Sequence, residues 1–288
     1  MSSFLHLGLA NTPGLFGAVV SGGTPPVEEV LWQPSDDPRV LEHFRFDEGT
    51  GATVVGGNLT SWTGDIGATV LSPNASASGT VTLESDGVRF QNRMLESASS
   101  RLGLSADPSL SVFVALRNTQ SVAVSIEEMW HIGGISDTGV LRGDLDTNTT
   151  VSWRHNNGNR VLSTDGVDLS AVGQGRILVW SHATGGTYGE GSIRLDGVDL
   201  STETGNGNPT GTPTSTGTFM SVGGGYFAGG ALVSMDRTMT DFIFVNSVDA
   251  DLRDRIADSD VKAIYAESTA CKISASIAKS GRFTIRGL

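Results

Sequence analysis

Apolar and polar residues alternate along much of this chain, and the pattern predicts a protein built from short β-strands. Strict alternation is present in residues 111–116, 150–153, 176–182 and 192–195, and side chains that point to opposite faces of a strand produce this period of two. Glycine is frequent, with 38 residues, whereas aromatic residues make up only 7%. Many short strands joined by tight turns have this composition. The pattern therefore predicts an all-β fold.

One segment has the helical period instead. In residues 248–266 an apolar stripe is formed by Leu252, Ile256 and Ile264, with Val261 nearby. Asp249 stands where an N-cap residue is expected. We predict one short helix towards the C-terminal end of the fold.

Asp-Gly-Val occurs three times, beginning at Asp86, Asp165 and Asp196. An internal repeat is one interpretation. The other is that each copy is a hairpin tip, because Asp-Gly suits a type I′ turn and Val restarts the strand. We favour hairpin tips over duplicated sites.

The order of the segments resembles a laminin-G-like, concanavalin A-type jelly roll. Residues 219–266 carry the resemblance best: FMSVGGG, YFAGGALVSM and DFIFVNS precede the predicted helix. Other segments resemble the opening strands, the next two strands and a late hairpin of such domains; they are residues 29–37, 58–70, 87–97, 110–118 and 191–201. The resemblance implies a concanavalin A-like (laminin-G-like) jelly-roll sandwich over residues 30–267. It also implies a surface for binding or assembly rather than an enzyme.

The two ends differ from this body. Residues 1–29 begin with 27 residues that contain no Lys, Arg, Asp or Glu, and residues 271–288 contain four basic residues and no acidic one, in a chain of net charge −12. The first segment predicts an apolar N-terminal arm, and alternation in residues 268–288 predicts a basic β-hairpin. Either could lie along its own domain. We favour contacts with other subunits, through Leu7, Leu15, Phe16, Ile273, Ile277, Arg282, Phe283 and Ile285.

Several functions are disfavoured by composition. An acidic body repels nucleic acid, and the single Cys271 excludes an internal disulfide. The apolar start is interrupted by proline, which argues against a signal peptide or a membrane-inserting segment. No familiar catalytic motif is present, and adjacent Glu127 and Glu128 would point to opposite faces of a strand. We therefore expect no enzymatic activity.

Two sets of residues are candidate sites. Asp144, Asp146 and Asn148 resemble the start of a Ca²⁺ loop, although Thr149 occupies the glycine position of that motif; the alternative is a solvated acidic loop. For carbohydrate, the candidates are aromatic residues near polar ones, since sugar rings stack on exposed aromatic faces: Trp153, Asn156, Asn157, Tyr188 and Tyr226. Burial of Trp153 in the core is the alternative at that position.

The resemblance extends to jelly-roll proteins of phage heads and tails, whose uncharged, Gly-rich amino ends look like residues 7–26. It implies a virion-associated structural protein of a tailed bacteriophage, assembled in the host cytoplasm. Its partners would be other virion proteins, copies of itself and a host surface glycan, and it would need no cofactor apart from Ca²⁺ at the candidate loop. The alternatives are a monomeric bacterial carbohydrate-binding module and, third, a polysaccharide-active enzyme.

Overall fold

The computed structural model describes fourteen stretches of the chain, all within one compact unit that begins at Gln33. They are residues 34–45, 51–85, 87–97, 102–117, 126–134, 140–147, 149–155, 159–164, 167–169, 175–205, 212, 215, 218–227 and 231–255. The predicted arm and basic hairpin, with the eight assembly residues named above, lie outside these stretches.

Strands make up most of the described chain. The first ten are β1 Val40–Arg45, β2 Ala52–Val55, β3 Asn58–Thr63, β4 Val70–Pro73, β5 Thr80–Glu84, β6 Gly87–Gln91, β7 Leu95–Ser97, β8 Leu110–Arg117, β9 Glu127–Gly133 and β10 Val140–Thr147. The next ten are β11 Thr150–His155, β12 Asn159–Ser163, β13 Gly175–His182, β14 Ser192–Leu195, β15 Val198–Asp199, β16 Thr202–Thr204, β17 Phe219–Val222, β18 Gly224–Phe227, β19 Ala231–Ser234 and β20 Thr238–Val245. Two 3-10 helices, Pro34–Asp36 and Tyr188–Glu190, and α1, Ala250–Arg255, complete the described elements.

Eighteen of the described strands form an antiparallel β-sandwich of two layers, which we call sheets A and B, and β18 pairs with β19 as a separate hairpin. In sheet A, β8 lies between β13 and β20; β13 continues to β14 and β15, and β20 also pairs with β1 and β6. From β6 the sheet continues through β5 to β3 and β2. Sheet B has the order β16, β12, β11, β10, β9, β17, β7, β4. Strand β4 also pairs with β3, so it joins the two layers. This is the predicted all-β sandwich.

The core lies between the layers, where alternate residues of both sheets meet. Four tryptophans, Trp62, Trp130, Trp153 and Trp180, are each at most 1% exposed. The Trp130 ring lies 5.5 Å from Trp153 and 6.2 Å from Trp180, measured between ring centroids. Large aromatic side chains at the centre of both sheets bury much of the apolar area that stabilises the sandwich.

The four alternating segments are all strands, namely β8, β11, β13 and β14, so those predictions are confirmed. The tip at Asp196 is confirmed as well: Asp196 and Gly197 have φ of 50° and 84° and join β14 to β15. Positive φ at both central residues defines a type I′ turn. Helix α1 lies within the predicted helical segment, whose residues after 255 lie outside the described stretches.

One strand prediction is wrong in detail. Residues 87–97 were expected to form a single strand, but they form β6 and β7, which belong to different sheets. The chain turns at Asn92, which has a φ of 57°. Asparagine tolerates this left-handed conformation better than most residues, so the turn has a sequence signal that alternation alone does not reveal.

A buried carboxylate organises the loop before β4. Glu42 is fully buried, and its Oε1 accepts hydrogen bonds from the backbone N–H groups of Ile66 at 3.0 Å and Gly67 at 2.9 Å. Its Oε2 accepts from the N–H of Thr69 at 2.9 Å. The Glu42 carboxylate therefore accepts the hydrogen bonds of loop amides that have no strand partner.

In the part of the chain described here, no helix is long and apolar enough to cross a membrane.

Candidate ligand-binding grooves

Charged side chains form a buried row on the face of sheet B that points away from the core. The row comprises His131 and Glu128 of β9, Arg142 and Asp144 of β10, and Arg154 of β11. His131 Nδ1 lies 2.6 Å from Glu128 Oε1, and Arg154 Nε lies 2.5 Å from Asp144 Oδ2. A bulge in the β9–β10 pairing, between Gly143 and Asp144, places Asp144 opposite Glu128. Residues three apart on a regular strand face opposite ways, so this irregularity lets Glu128 and His131 meet.

The row is enclosed by the chain itself. Tyr226 of β18 accepts a hydrogen bond on its backbone oxygen from Arg142 Nη1 at 3.1 Å. A Cβ on Gly225 would lie 1.9 Å from Glu128 Oε1, so only glycine lets the hairpin of β18 and β19 approach this closely. The arrangement stabilises the hairpin on sheet B, and it offers no open face to a ligand.

Burial dominates the electrostatics of Asp144. It raises the pKa of this carboxyl to about 7, with Glu128 adding to the rise and Arg142 and Arg154 opposing it. A desolvated carboxyl prefers its neutral form because the charge loses its hydration. Asp144 therefore titrates near neutral pH.

The structure corrects the metal prediction at two of its three residues. Asp144 contacts Arg154 and Arg142, and Asp146 also forms an ion pair with Arg154. Guanidinium groups occupy the positions where a cation would bind. Asn148 lies outside the described residues, and no cluster of His, Cys, Asp and Glu suited to a metal occurs among the described ones.

The structure also corrects the prediction that Trp153 offers a stacking face. Its ring is 1% exposed and stacks on His182, with centroids 5.8 Å apart and planes inclined by 14°. A Cβ on Gly191 would come within 2.6 Å of its Cδ1 atom, so the backbone covers this edge of the indole. Trp153 belongs to the core, which was the alternative interpretation.

Tyr226 is partly buried and belongs to a polar triangle. Asn74 Nδ2 lies 3.1 Å from the Tyr226 hydroxyl and donates to Glu96 Oε2 at 2.6 Å. Burial raises the pKa of the Tyr226 hydroxyl, and Glu96 adds to the rise. The ring packs edge-on against Phe219, with centroids 5.2 Å apart. This predicted residue therefore lies at the surface of sheet B, tied to the loop that begins at Asn74.

A groove of about 590 Å³ opens beside this triangle; we call it the larger groove. It is lined by Ser76, Ala77, Ser78, Asn92, Ile126, Leu232, Val233 and Ser234. Aliphatic side chains and small hydroxyl or amide side chains contribute to it, and no lining residue is charged. Its walls come from the loop after β4, the turn between β6 and β7, and strand β19.

A second groove, the smaller groove, has a volume of about 360 Å³ and lies on the other side of the same loop. Its lining is Asn58, Leu59, Thr60, Ser72, Pro73, Thr80 and Arg93. Residues 74–79, the dividing loop, separate the two grooves. Asn74 Oδ1 accepts from the N–H groups of Ser76 at 2.8 Å and Ala77 at 2.9 Å, and this Asx-type turn fixes the loop.

Neither groove was predicted from the sequence. Their residues come from four strands, one loop, one turn and the residue that precedes β9, and small polar residues in loops carry no motif by themselves. The run of small residues at 74–79, which predicts a loop, is the local signal that the groove residues carry. Of the other candidates, Asn156 and Asn157 lie outside the described residues, and Tyr188 begins a 3-10 helix. The pairing of strands, which sequence does not reveal, brings the groove residues together.

Proteins similar to this chain were found among solved structures. No protein-family model and no curated protein matches the sequence. Among solved structures, the chain is similar to a Trypanosoma rangeli sialidase at 14% identity and TM-score 0.49, over 76% of this chain and 32% of the sialidase. The chain thus spans about a third of that protein's length.

Two further structures are similar. The botulinum neurotoxin serotype C1 binding domain matches at 11% identity and TM-score 0.51, over 79% of this chain and 53% of the toxin chain. The CBM40 domain of a Ruminococcus gnavus IT-sialidase, solved with α2,3-sialyllactose, matches at 10% identity and TM-score 0.40, over 51% and 80%. The likeness to the toxin domain concerns the β-sandwich fold alone, since function resides in sites rather than in folds.

Proposed function

We propose that this chain is a carbohydrate-binding β-sandwich module that holds a saccharide in the larger groove. The observation that carries the proposal is the lining of that groove. Its volume of about 590 Å³ lies within the range of about 300 to 1,000 Å³ that is typical of small-ligand sites. The groove is open and uncharged, and it lies on a fixed loop.

The distribution of polar and apolar groups suits a sugar. A pyranose has apolar C–H faces and hydroxyl groups around its edge. Ile126, Leu232 and Val233 supply aliphatic surface, and Ser76, Ser78, Asn92 and Ser234 supply donors and acceptors. Hydroxyl and amide groups can bind sugar hydroxyls directly or through water. Tyr226, the predicted sugar-binding residue in the adjoining triangle, supports the loop through Asn74.

The proposed module binds without cleaving. Glycoside hydrolysis needs two carboxyl groups that reach the scissile bond, and no carboxyl group lines either groove. Glu128 and Asp144 are on neighbouring strands, but each is at most 1% exposed, and Glu128 lies against Gly225 of the hairpin of β18 and β19. This proposal keeps the expectation that the chain is not an enzyme.

The experiment is a glycan array followed by isothermal titration of the best oligosaccharide. Ser78→Trp places a large ring in the larger groove and should weaken binding at least about tenfold, because the ring competes for the same volume. The matched control is Thr164→Trp, an exposed loop position outside both grooves, which should bind as wild type does. Absence of any glycan binding, or equal losses in both variants, would refute the proposal.

A virion-associated structural protein is a more specific hypothesis that is compatible with carbohydrate binding. It depends on the amino arm and the basic carboxyl segment, whose residues lie outside the described part of the chain. A glycan-binding sandwich is compatible with either a virion protein or a monomeric bacterial module. The two differ in self-association, which is expected of the virion protein and not of the monomeric module.

A further inference from the structure

Arg93 gives the smaller groove a charge that the rest of the site lacks. It is the one charged residue among those that line the two grooves. Arg89 and Arg194, by contrast, contact the carboxylates of Asp236 and Asp199. Among the described residues, no carboxylate forms an ion pair with Arg93. A groove arginine without an acidic partner is a ready anchor for an anion.

Two hydrogen bonds hold the Arg93 side chain in place. Its Nε donates to the backbone oxygen of Asn74 at 3.1 Å, and its Nη1 donates to that of Gly79 at 3.4 Å. These carbonyls are the two ends of the dividing loop. Nη2 donates to none of the described residues. The guanidinium is therefore fixed along one edge, and a fixed donor loses less entropy on binding than a free surface arginine does.

The residues around Arg93 are neutral hydrogen-bonding groups. Ser72 brings a hydroxyl and Asn58 an amide to the smaller groove, whereas the hydroxyls of Thr60 and Thr80 already donate to Thr53 O and Gln91 Oε1. Hydroxyl and amide donors complete the coordination of a carboxylate or sulfate that an arginine anchors. The same groups can bind the sugar that carries the anion.

We infer that the smaller groove binds the acidic substituent of an anionic glycan, with Arg93 as its anchor. The inference rests on the proposed function, in which the larger groove on the other side of the dividing loop holds a neighbouring sugar. Asn92 and Arg93 are consecutive, and each lines one groove. The substituent is a carboxylate, as in a uronic acid, or a sulfate ester.

The net negative charge of the chain helps to distinguish a local contact from general electrostatic attraction. At −12 the protein repels polyanions at long range. General electrostatic attraction would therefore not favour an anionic glycan over a neutral one. A preference for the anionic form reports a local contact, and that contact should weaken as salt is added.

The test uses the full chain and two pairs of polymers, each with the same sugar backbone and one anionic member. Polygalacturonate is compared with its methyl ester, and dextran sulfate with dextran, by titration at low and physiological salt. We expect the affinity for one anionic polymer to be at least about tenfold higher than the affinity for its neutral partner. This difference matches the strength of charge-assisted hydrogen bonds. The first pair reports carboxylate and the second reports sulfate.

Two isosteric variants locate the effect. Asn58→Asp adds a negative charge to the smaller groove without changing its shape, and should remove the preference for the anionic polymer. Asn246→Asp adds the same charge at an exposed position outside both grooves, and should retain the preference. Arg93→Gln should lose it as well, and its melting temperature shows whether the dividing loop remains in place.

The outcomes separate this inference from the proposed function. If neutral and anionic polymers bind equally well, the anchor role of Arg93 is refuted and the carbohydrate-binding proposal stands. If no glycan of either kind binds, the proposed function fails. If inorganic polyphosphate binds as tightly, or both Asp variants lose affinity equally, the attraction is general and the inference is overturned.

Discussion

At the scale of single residues, buried polar side chains hold several backbone segments of this structure in place. Glu42 is satisfied by three loop amides, and the row from His131 to Arg154 is held together by ion pairs among its members and by a hydrogen bond to the hairpin above it. Buried polar groups are costly unless they find partners. Each of these residues therefore fixes a piece of backbone that has little apolar surface of its own.

The titration of Asp144 leads to a prediction about stability and pH. Its pKa rises from 3.8 to about 7 on folding, so the folded state binds this proton more tightly than the unfolded state does. The stability linked to the proton is present below pH 3.8, and it is lost as the pH rises through about 7. The difference in unfolding free energy between wild type and Asp144→Asn should fall by about 2 to 3 kcal/mol between pH 5 and pH 8.

Denaturant unfolding at each pH measures this difference. Asp199→Asn is the control, because the Asp199 side chain is 68% exposed, and its difference from wild type should not vary in this way. A wild-type advantage at Asp144 that grows with pH would show that the two arginines outweigh burial.

At the scale of elements, the turns decide which strands meet. Asn92 sends β6 and β7 to different sheets, and Gly79 lets the dividing loop approach the end of β6. A Cβ at Gly79 would lie 2.0 Å from the backbone oxygen of Gln91. This contact involves backbone on both sides, so a side chain cannot be accommodated by a rotamer change. The shape of both grooves depends on it.

Gly79→Ala tests this contact. Gly79 has a φ of 108°, and Gly57 has a φ of 83° with open space around its Cβ position. Gly57→Ala should cost about 1 kcal/mol of unfolding free energy, from backbone conformation alone. Gly79→Ala should cost a further 1 to 3 kcal/mol, roughly, from the clash, and should weaken glycan binding. Equal losses in the two variants would show that the dividing loop yields without strain.

At the scale of the whole molecule, charge and apolar surface are unevenly distributed along the sequence. The segment without Lys, Arg, Asp or Glu and the basic segment lie at opposite ends of an acidic chain. Such segments suit contacts with other subunits because an acidic body attracts a basic segment. The described sandwich has a complete core of its own. If the chain self-associates, we expect the ends to mediate it.

Light scattering on the full chain tests that prediction. If the ends mediate assembly, wild type forms oligomers, and Phe16→Asp or Phe283→Asp reduces their mass because a charge opposes apolar contact. Val198→Asp is the control, since Val198 is 65% exposed on the sandwich, and it should leave the mass unchanged. A monomeric wild type would contradict the assembly hypothesis and leave the carbohydrate-binding module as the simpler account.

Much of the fold could be predicted from sequence because its signals are local. Alternation in residues 111–116 and 176–182 identified β8 and β13, and Asp196-Gly197 identified a hairpin turn. A period of two and a positive φ are properties of a few consecutive residues. The single short helix had an equally local signal. These features follow from the sequence by itself.

The candidate site was decided by tertiary structure. Trp153 looked like a binding residue by its polar neighbours, yet strand pairing placed it against Trp130 in the core. Asn58, Asn92 and Arg93 carry no motif, yet the turn at Asn92 and the pairing of β3, β4 and β5 bring them to adjoining grooves. The sequence determined the strands and several turns, because these depend on neighbouring residues. Only the tertiary structure decided which face each side chain occupies, because burial depends on strands that are distant in the chain.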